Sequence, residues 1–121
     1  GDSEQIKMLN VVASAGPGYQ NDDPVELKRL PFARSVLADL GVKLENARFM
    51  VARGDSMEPT ISDGSIVLVD VSFSRPKNDG IYVVVVGSEV RIKRVARGFG
   101  GSVTLVSDNE RYPTETLAPP E

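Results

Sequence analysis

The sequence predicts a mainly β domain: an antiparallel, partly closed barrel-like sheet with one short helix. Three observations lead there. From Ala47 onward, short apolar runs are broken by turn residues about every 8 to 12 positions, the rhythm of a meandering sheet. Within that region IYVVVVGSEVRIKRV (81–95) sets two apolar arms about Gly87, Ser88 and Glu89, the pattern of a hairpin. One segment, PFARSVLADLG (31–41), carries helical spacing. At 121 residues the chain suits a single domain with one core.

The first element is a strand over Ile6 to Ala15, IKMLNVVASA, ending in small residues. GPGYQNDDP follows, and its glycines, prolines and aspartates make a loop. The helix over 31–41 places Pro31 in the first turn, where a missing N–H costs nothing. Phe32, Val36, Leu37 and Leu40 form its apolar face, and Gly41 suits a left-handed cap. ARFMVARG is a strand running into GDSMEPT. Pro59 and Asp63-Gly64 supply a turn. SIVLVDVS alternates, with Ile66, Leu68 and Asp70 on one side and Val67, Val69 and Val71 on the other. RPKNDG and RGFGGS are turns, and VTLVSDN is a further strand. There is no internal repeat and no low-complexity segment.

Composition narrows the chemistry. Net charge is −3, a poor footprint for a domain that grips nucleic-acid phosphates by itself. The apolar run Ile81 to Val86 is far shorter than the roughly 20 residues of a membrane span. The N-terminus lacks the charged-then-apolar pattern of a secretory signal, so a cytoplasmic location without a membrane partner is expected. The chain has no cysteine and no histidine. That removes disulfides, thiol nucleophiles, the usual zinc sites and any Ser-His-Asp arrangement. Asp55, Asp63 and Asp70 each sit beside turn or strand signals, so neither a metal site nor a cofactor is expected.

Ser56 in GDSMEPT is either a turn residue or a nucleophile, and GDS alone is an ordinary turn. Without histidine, a nucleophilic serine needs a lysine or carboxylate as its base. Lys7, Lys28, Lys43 and Lys77 stand in polar or turn surroundings, where a solvated ammonium is no base. Lys93 lies mid-strand in VRIKRV, opposite an arm of consecutive valines. Alternation puts Arg91, Lys93 and Val95 on one face and Val90, Ile92 and Arg94 on the other. A strand lysine is commonly a snorkelling edge residue. A buried one loses hydration, its charged form is disfavoured, and a neutral amine can take a hydroxyl proton.

Three stretches, VARGDSMEPTISDGSIVLVD, DGIYVVVVGSEVRIKRV and LVSDNERYP, together closely resemble the C-terminal domain of LexA-like and phage CI-like repressors, a family of self-cleaving Ser-Lys peptidases. LPFARSVLADLG resembles the CI-like prophage repressors in particular. The resemblance implies a LexA C-terminal-domain-like fold, with Ser56 as nucleophile and Lys93 as general base. It implies backbone N–H groups of Ser56 and Met57 as the oxyanion donors. It also implies a scissile bond between Ala15 and Gly16, with Val12 and Ala13 holding the strand in the cleft. On this reading residues 1–121 form one autoproteolytic and dimerisation domain: 1–15 the cleavage-site strand, 16–30 a loop, 31–121 the helix and catalytic β core. The implied partners are a second copy of the chain or a higher oligomer, a recombinase filament on single-stranded DNA as the inducing signal of DNA damage, and operator DNA. That DNA would be held only through an N-terminal helix-turn-helix domain absent from this chain. The family usually continues past SDNERYP into a further apolar strand, whereas this sequence reads TETLAPPE, which leaves the last strand and the dimer surface open.

Other readings remain. A signal-peptidase-like enzyme would need a membrane anchor. A polymerase-accessory protein of the same fold cuts a short N-terminal arm, which the long segment 16–41 does not suit. A dimerisation module that does not cleave would carry Ser56 and Lys93 as vestiges.

Overall fold

A computed structural model of the chain describes residues 2–14 and 28–117. Among the described residues, eight strands form two four-stranded sheets. The first contains β1 (Ser3–Ser14), β2 (Arg29–Ala33), β3 (Ala47–Arg53) and β4 (Ile66–Asp70), in the spatial order β2-β1-β3-β4. The second contains β5 (Gly80–Val86), β6 (Glu89–Arg97), β7 (Val103–Val106) and β8 (Glu115–Leu117), in sequence order. One short helix, α1 (Arg34–Leu40), follows β2 directly. The chain adopts the expected mainly β, largely antiparallel architecture with one short helix, although the strands form two sheets that do not close into a barrel. One pairing differs: β1 runs parallel to β3, with Ala13 opposite Ala52 and Ser14 opposite Arg53. β1 also lies against β6 and so bridges the two sheets.

The helix is shorter than its spacing suggests. Residues 29–33 pair with β1 instead, Pro31 standing opposite Gln5. β2 is an edge strand, where proline's missing N–H breaks no ladder. Phe32 therefore reaches the core from a strand, its ring edge-on to Phe49 with centroids 5.7 Å apart. Of the expected helical face only Leu37 is buried, at 3% exposure, while Val36 and Leu40 stand 40% and 59% exposed. Gly41 does close the helix in the left-handed conformation, with φ of 73°. The hairpin tip is likewise tighter than the sequence suggests. Val86 pairs with Glu89, so Glu89 belongs to β6 and the turn is Gly87-Ser88 alone.

Two apolar clusters result. Leu37 packs with Ile6, Ala47 and Phe49 under α1. Met50, Ala52, Met57 and Ile92 form the other, between the sheets. β4 feeds both, Leu68 into the first and Val67 and Val69 into the second. Alternation thus places the residues of β4 as expected, except that Ile66 is 52% exposed.

Beyond β7 the chain leaves the sheet at Ser107 and is pinned by Asp108. Arg94 of β6 donates to this carboxylate through Nε and Nη2, both at 2.9 Å. Thr60 Oγ1 donates to it at 2.5 Å. These donors hold the Asp108 carboxyl down to about 2 from its ordinary 3.8, Arg94 contributing most.

Leu37→Ala is expected to cost about 2–5 kcal/mol in urea unfolding, and Leu40→Ala at most about 0.5 kcal/mol. Equal losses would show that the helix packs otherwise. The Asp108 pair has the usual acid signature. A depressed folded pKa makes its contribution complete above about 4 and lost as pH falls through about 2. Asp108→Asn is expected to flatten that part of the acid-unfolding profile, read by circular dichroism.

Candidate active site

β3 delivers the chain from buried Ala52 to Gly54, whose φ of 92° redirects it out of the sheet. The following loop closes on itself. Gly54 N–H donates to Asp63 Oδ1 at 2.9 Å, and Gly64 N–H to the Ala52 carbonyl at 2.7 Å. Inside it, Glu58 N–H donates to the Asp55 carbonyl at 3.1 Å and Ile61 N–H to the Met57 carbonyl at 2.9 Å. Met57 anchors this turn in the Met50–Ile92 cluster. Ser56, beside it, is only 4% exposed. Among the described residues the backbone N–H groups of Ser56 and Met57 meet no acceptor. A cavity of about 10 Å³, the room of a single water, lies against Ser56 between Ala52, Gly54, Met57, Ile61 and Ile92.

Lys93 stands mid-way along β6, opposite Tyr82 of β5, and is 5% exposed. Lys28, Lys43 and Lys77 are exposed and Lys7 is half-buried, so the five lysines divide as the sequence suggests. Burial pushes the Lys93 amine below its ordinary value, the nearby Arg91 charge pushes it further, and Glu115 opposes both. Its Nζ donates to Ser107 Oγ at 2.9 Å and lies 5.7 Å from the centre of the Tyr112 ring. Among the described residues no hydrogen bond joins Lys93 to Ser56.

What gathers the two residues is the segment 107–112. Ser107 takes the lysine. Asn109 takes the serine turn, its N–H donating to the Ser56 carbonyl at 2.9 Å and its Nδ2 to the Asp55 carbonyl at 3.0 Å. The Tyr112 hydroxyl donates to Asp55 Oδ1 while its ring faces Lys93. Sequence reasoning assigned none of these three a role. The sequence reading placed Ser107 to Asn109 inside the strand VTLVSDN, whereas β7 ends at Val106; the signal was that polar triplet directly after an apolar strand.

Asp63 and Asp70 cap local backbone N–H groups, those of Gly54 and Ser72, and Asp55 accepts from Tyr112. Among the described residues no three His, Cys, Asp or Glu side chains are grouped as a metal site requires. No described helix is long and apolar enough to cross a membrane. Ala15 and Gly16 lie outside the described residues. The backbone of β1 is traced to Ser14, beside Arg53, three residues before Ser56.

Comparison with known proteins gives these features a context. The chain is 34% identical over 115 residues to the 26 kDa repressor protein of Escherichia phage HK022, covering 92% of this chain and 48% of that protein. It is 42% identical over 114 residues to an uncharacterized HTH-type transcriptional regulator of Haemophilus influenzae, covering 91% and 46%. It is 31% identical over 117 residues to the Repressor protein CI of Enterobacteria phage phi80, covering 94% and 50%. The chain thus spans about half the length of the curated relatives it matches. No solved structure gives a significant match. The Peptidase S24-like family model matches residues 7–121, and with nearly the whole chain inside that match, the protein belongs to the Peptidase S24-like family.

Proposed function

We propose that this chain is the self-cleaving C-terminal domain of a transcriptional repressor, cutting its own backbone between Ala15 and Gly16. Neutral Lys93 takes the Ser56 hydroxyl proton, and Ser56 Oγ attacks the Ala15 carbonyl carbon. The N–H groups of Ser56 and Met57 stabilise the oxyanion, a contribution of about 3 kcal/mol per donor. The Ala15–Gly16 C–N bond breaks, and the proton on Lys93 passes to the Gly16 amine. Water then hydrolyses the Ser56 ester and frees the Ala15 carboxylate.

The observation that carries this reading is the parallel register of β1 on β3. It aligns the chain leading to Ala15 with the chain leading to Ser56, both running the same way. Three others support it. Lys93 is buried with its pKa lowered. Two N–H groups at the serine turn meet no acceptor among the described residues. The small cavity against Ser56 has apolar walls from Ala52, Met57, Ile61 and Ile92, so the hydroxyl faces little competing water. Cleavage of a tethered strand is then governed by how often residues near Ala15 dock in reach of Ser56.

The relatives' names supply the wider role. Their repressor and HTH-type titles support an N-terminal helix-turn-helix domain that binds operator DNA, with this domain pairing the subunits. Cutting between the two would end bivalent binding and lower DNA affinity. A recombinase filament on single-stranded DNA, favouring the docked strand, is the proposed inducer. A second reading, a pairing module that does not cleave, is favoured by one observation: the Lys93 amine bonds Ser107 and not Ser56.

Incubation of the purified chain from about pH 7 to pH 10, followed by intact-mass measurement, separates the two. Self-cleavage yields products that part between Ala15 and Gly16. The rate is expected to rise with pH, because protonated Lys93 is inert and its lowered pKa sets where the rise ends. Ser56→Ala and Lys93→Ala are each expected to slow cutting by at least about 100-fold. An unchanged mass after a day at about pH 10 favours the pairing module.

A further inference from the structure

Ser107 has a place at the end of the sheet that follows from register. β6 and β7 pair with Val95 opposite Leu105 and Arg94 opposite Val106. The ladder ends at that last pair, and Ser107, the next residue of the chain, leaves the sheet beside Lys93, the next residue of β6. Ser107 is 8% exposed, and its Oγ accepts from Lys93 Nζ at 2.9 Å. Its neighbours cannot drift, because Asp108 is held by Arg94 and Asn109 by the Ser56 turn.

A neutral primary amine has two N–H donors and one lone pair. Left unbound in an apolar wall, it rotates about Cε–Nζ and its lone pair points anywhere. Fixing one N–H on a neighbouring oxygen removes most of that freedom and leaves the lone pair available for an incoming proton. When the amine becomes an ammonium, the same oxygen accepts a stronger, charge-assisted bond in a largely buried site. The geometry points to Ser107 as the positioning residue of the general base: it orients the Lys93 amine towards the Ser56 proton and receives the ammonium formed there. This rests on the self-cleavage reading above.

The other groups facing Lys93 are Arg91 on its own strand, Glu115 of β8 through its bond to Arg91, Tyr82 opposite it on β5, and the Tyr112 ring. Replacing Ser107 leaves all of them in place, so a change in the titration of Lys93 reports the lost hydroxyl.

The test measures self-cleavage against pH in the full chain, with Ser107→Ala and Ser107→Thr. Ser107→Ala is expected to lower the alkaline plateau about 10- to 100-fold, since misplacement of a reacting group by an ångström costs on that order. Its pH midpoint is expected to move down, because the ammonium has lost an acceptor. Ser107→Thr keeps the hydroxyl and is expected to restore both. Thermal unfolding of each variant separates this from damage to the fold, which lowers the rate without moving the midpoint. A second arm needs no cleavage. In a Ser56→Ala background with isotope-labelled lysine, the NMR titration of Lys93 is expected to shift to lower pH on adding Ser107→Ala. A Ser107→Ala chain with an unchanged rate profile, or an unmoved Lys93 titration, overturns the proposal. Failure of the unsubstituted chain to cut at any pH overturns the self-cleavage reading and with it the catalytic purpose of Ser107, while the NMR arm still decides whether Ser107 holds the amine.

Discussion

One amine taken out of water governs this molecule. Lys93 is 5% exposed on a strand whose opposite face packs Ile92 into the core. A charged ammonium there loses hydration that no carboxylate among the described residues restores by direct contact, and its pKa falls for the lost hydration first. The surroundings follow from this constraint. The amine needs a partner, and Ser107 supplies a neutral one, which satisfies the donor without restoring the charge. The acidic group that does act on it, Glu115, is spent on Arg91, which it grips with both carboxylate oxygens at 3.0 Å. A lysine in such a setting gives up its proton more readily than a solvated one.

The same economy runs through the segment after β7. Within a few residues it satisfies the lysine, closes the serine turn and carries the Asp108 carboxylate that ties β6 to the Ser56 loop through Arg94 and Thr60. Serine and lysine come from different sheets, β3 leading to one and β6 bearing the other. A single polar stretch that touches both fixes their separation more tightly than the sheets would by packing alone.

The sequence carried the fold class, and it singled out Ser56 and Lys93, both of which the structure finds buried, because each left a local trace. The β rhythm after Ala47 is periodicity, and Lys93 stood out as a charge among valines. The helix was overstated because 31–33 satisfy two patterns at once. Their spacing fits a helix, but pairing with β1 supplies backbone hydrogen bonds that propensity cannot weigh. The parallel β1–β3 ladder was illegible for a similar reason: side-chain alternation looks the same in either strand direction. Ser107, Asn109 and Tyr112 were missed because their roles depend on contacts between segments distant in sequence, and because Ser107 to Asn109 were read as the end of the strand VTLVSDN, which in fact stops at Val106.

The position of β1 has a consequence for any cut made just beyond it. β1 is an interior strand, hydrogen-bonded on both flanks, and its Ile6 is 1% exposed in the core. Severing one peptide link does not dislodge such a strand. The released end would sit in the sheet as a tightly nested ligand, covalently free yet physically retained. Parting of the two products would then be a question of strand extraction, set by the apolar surface that Ile6 and its neighbours must return to water.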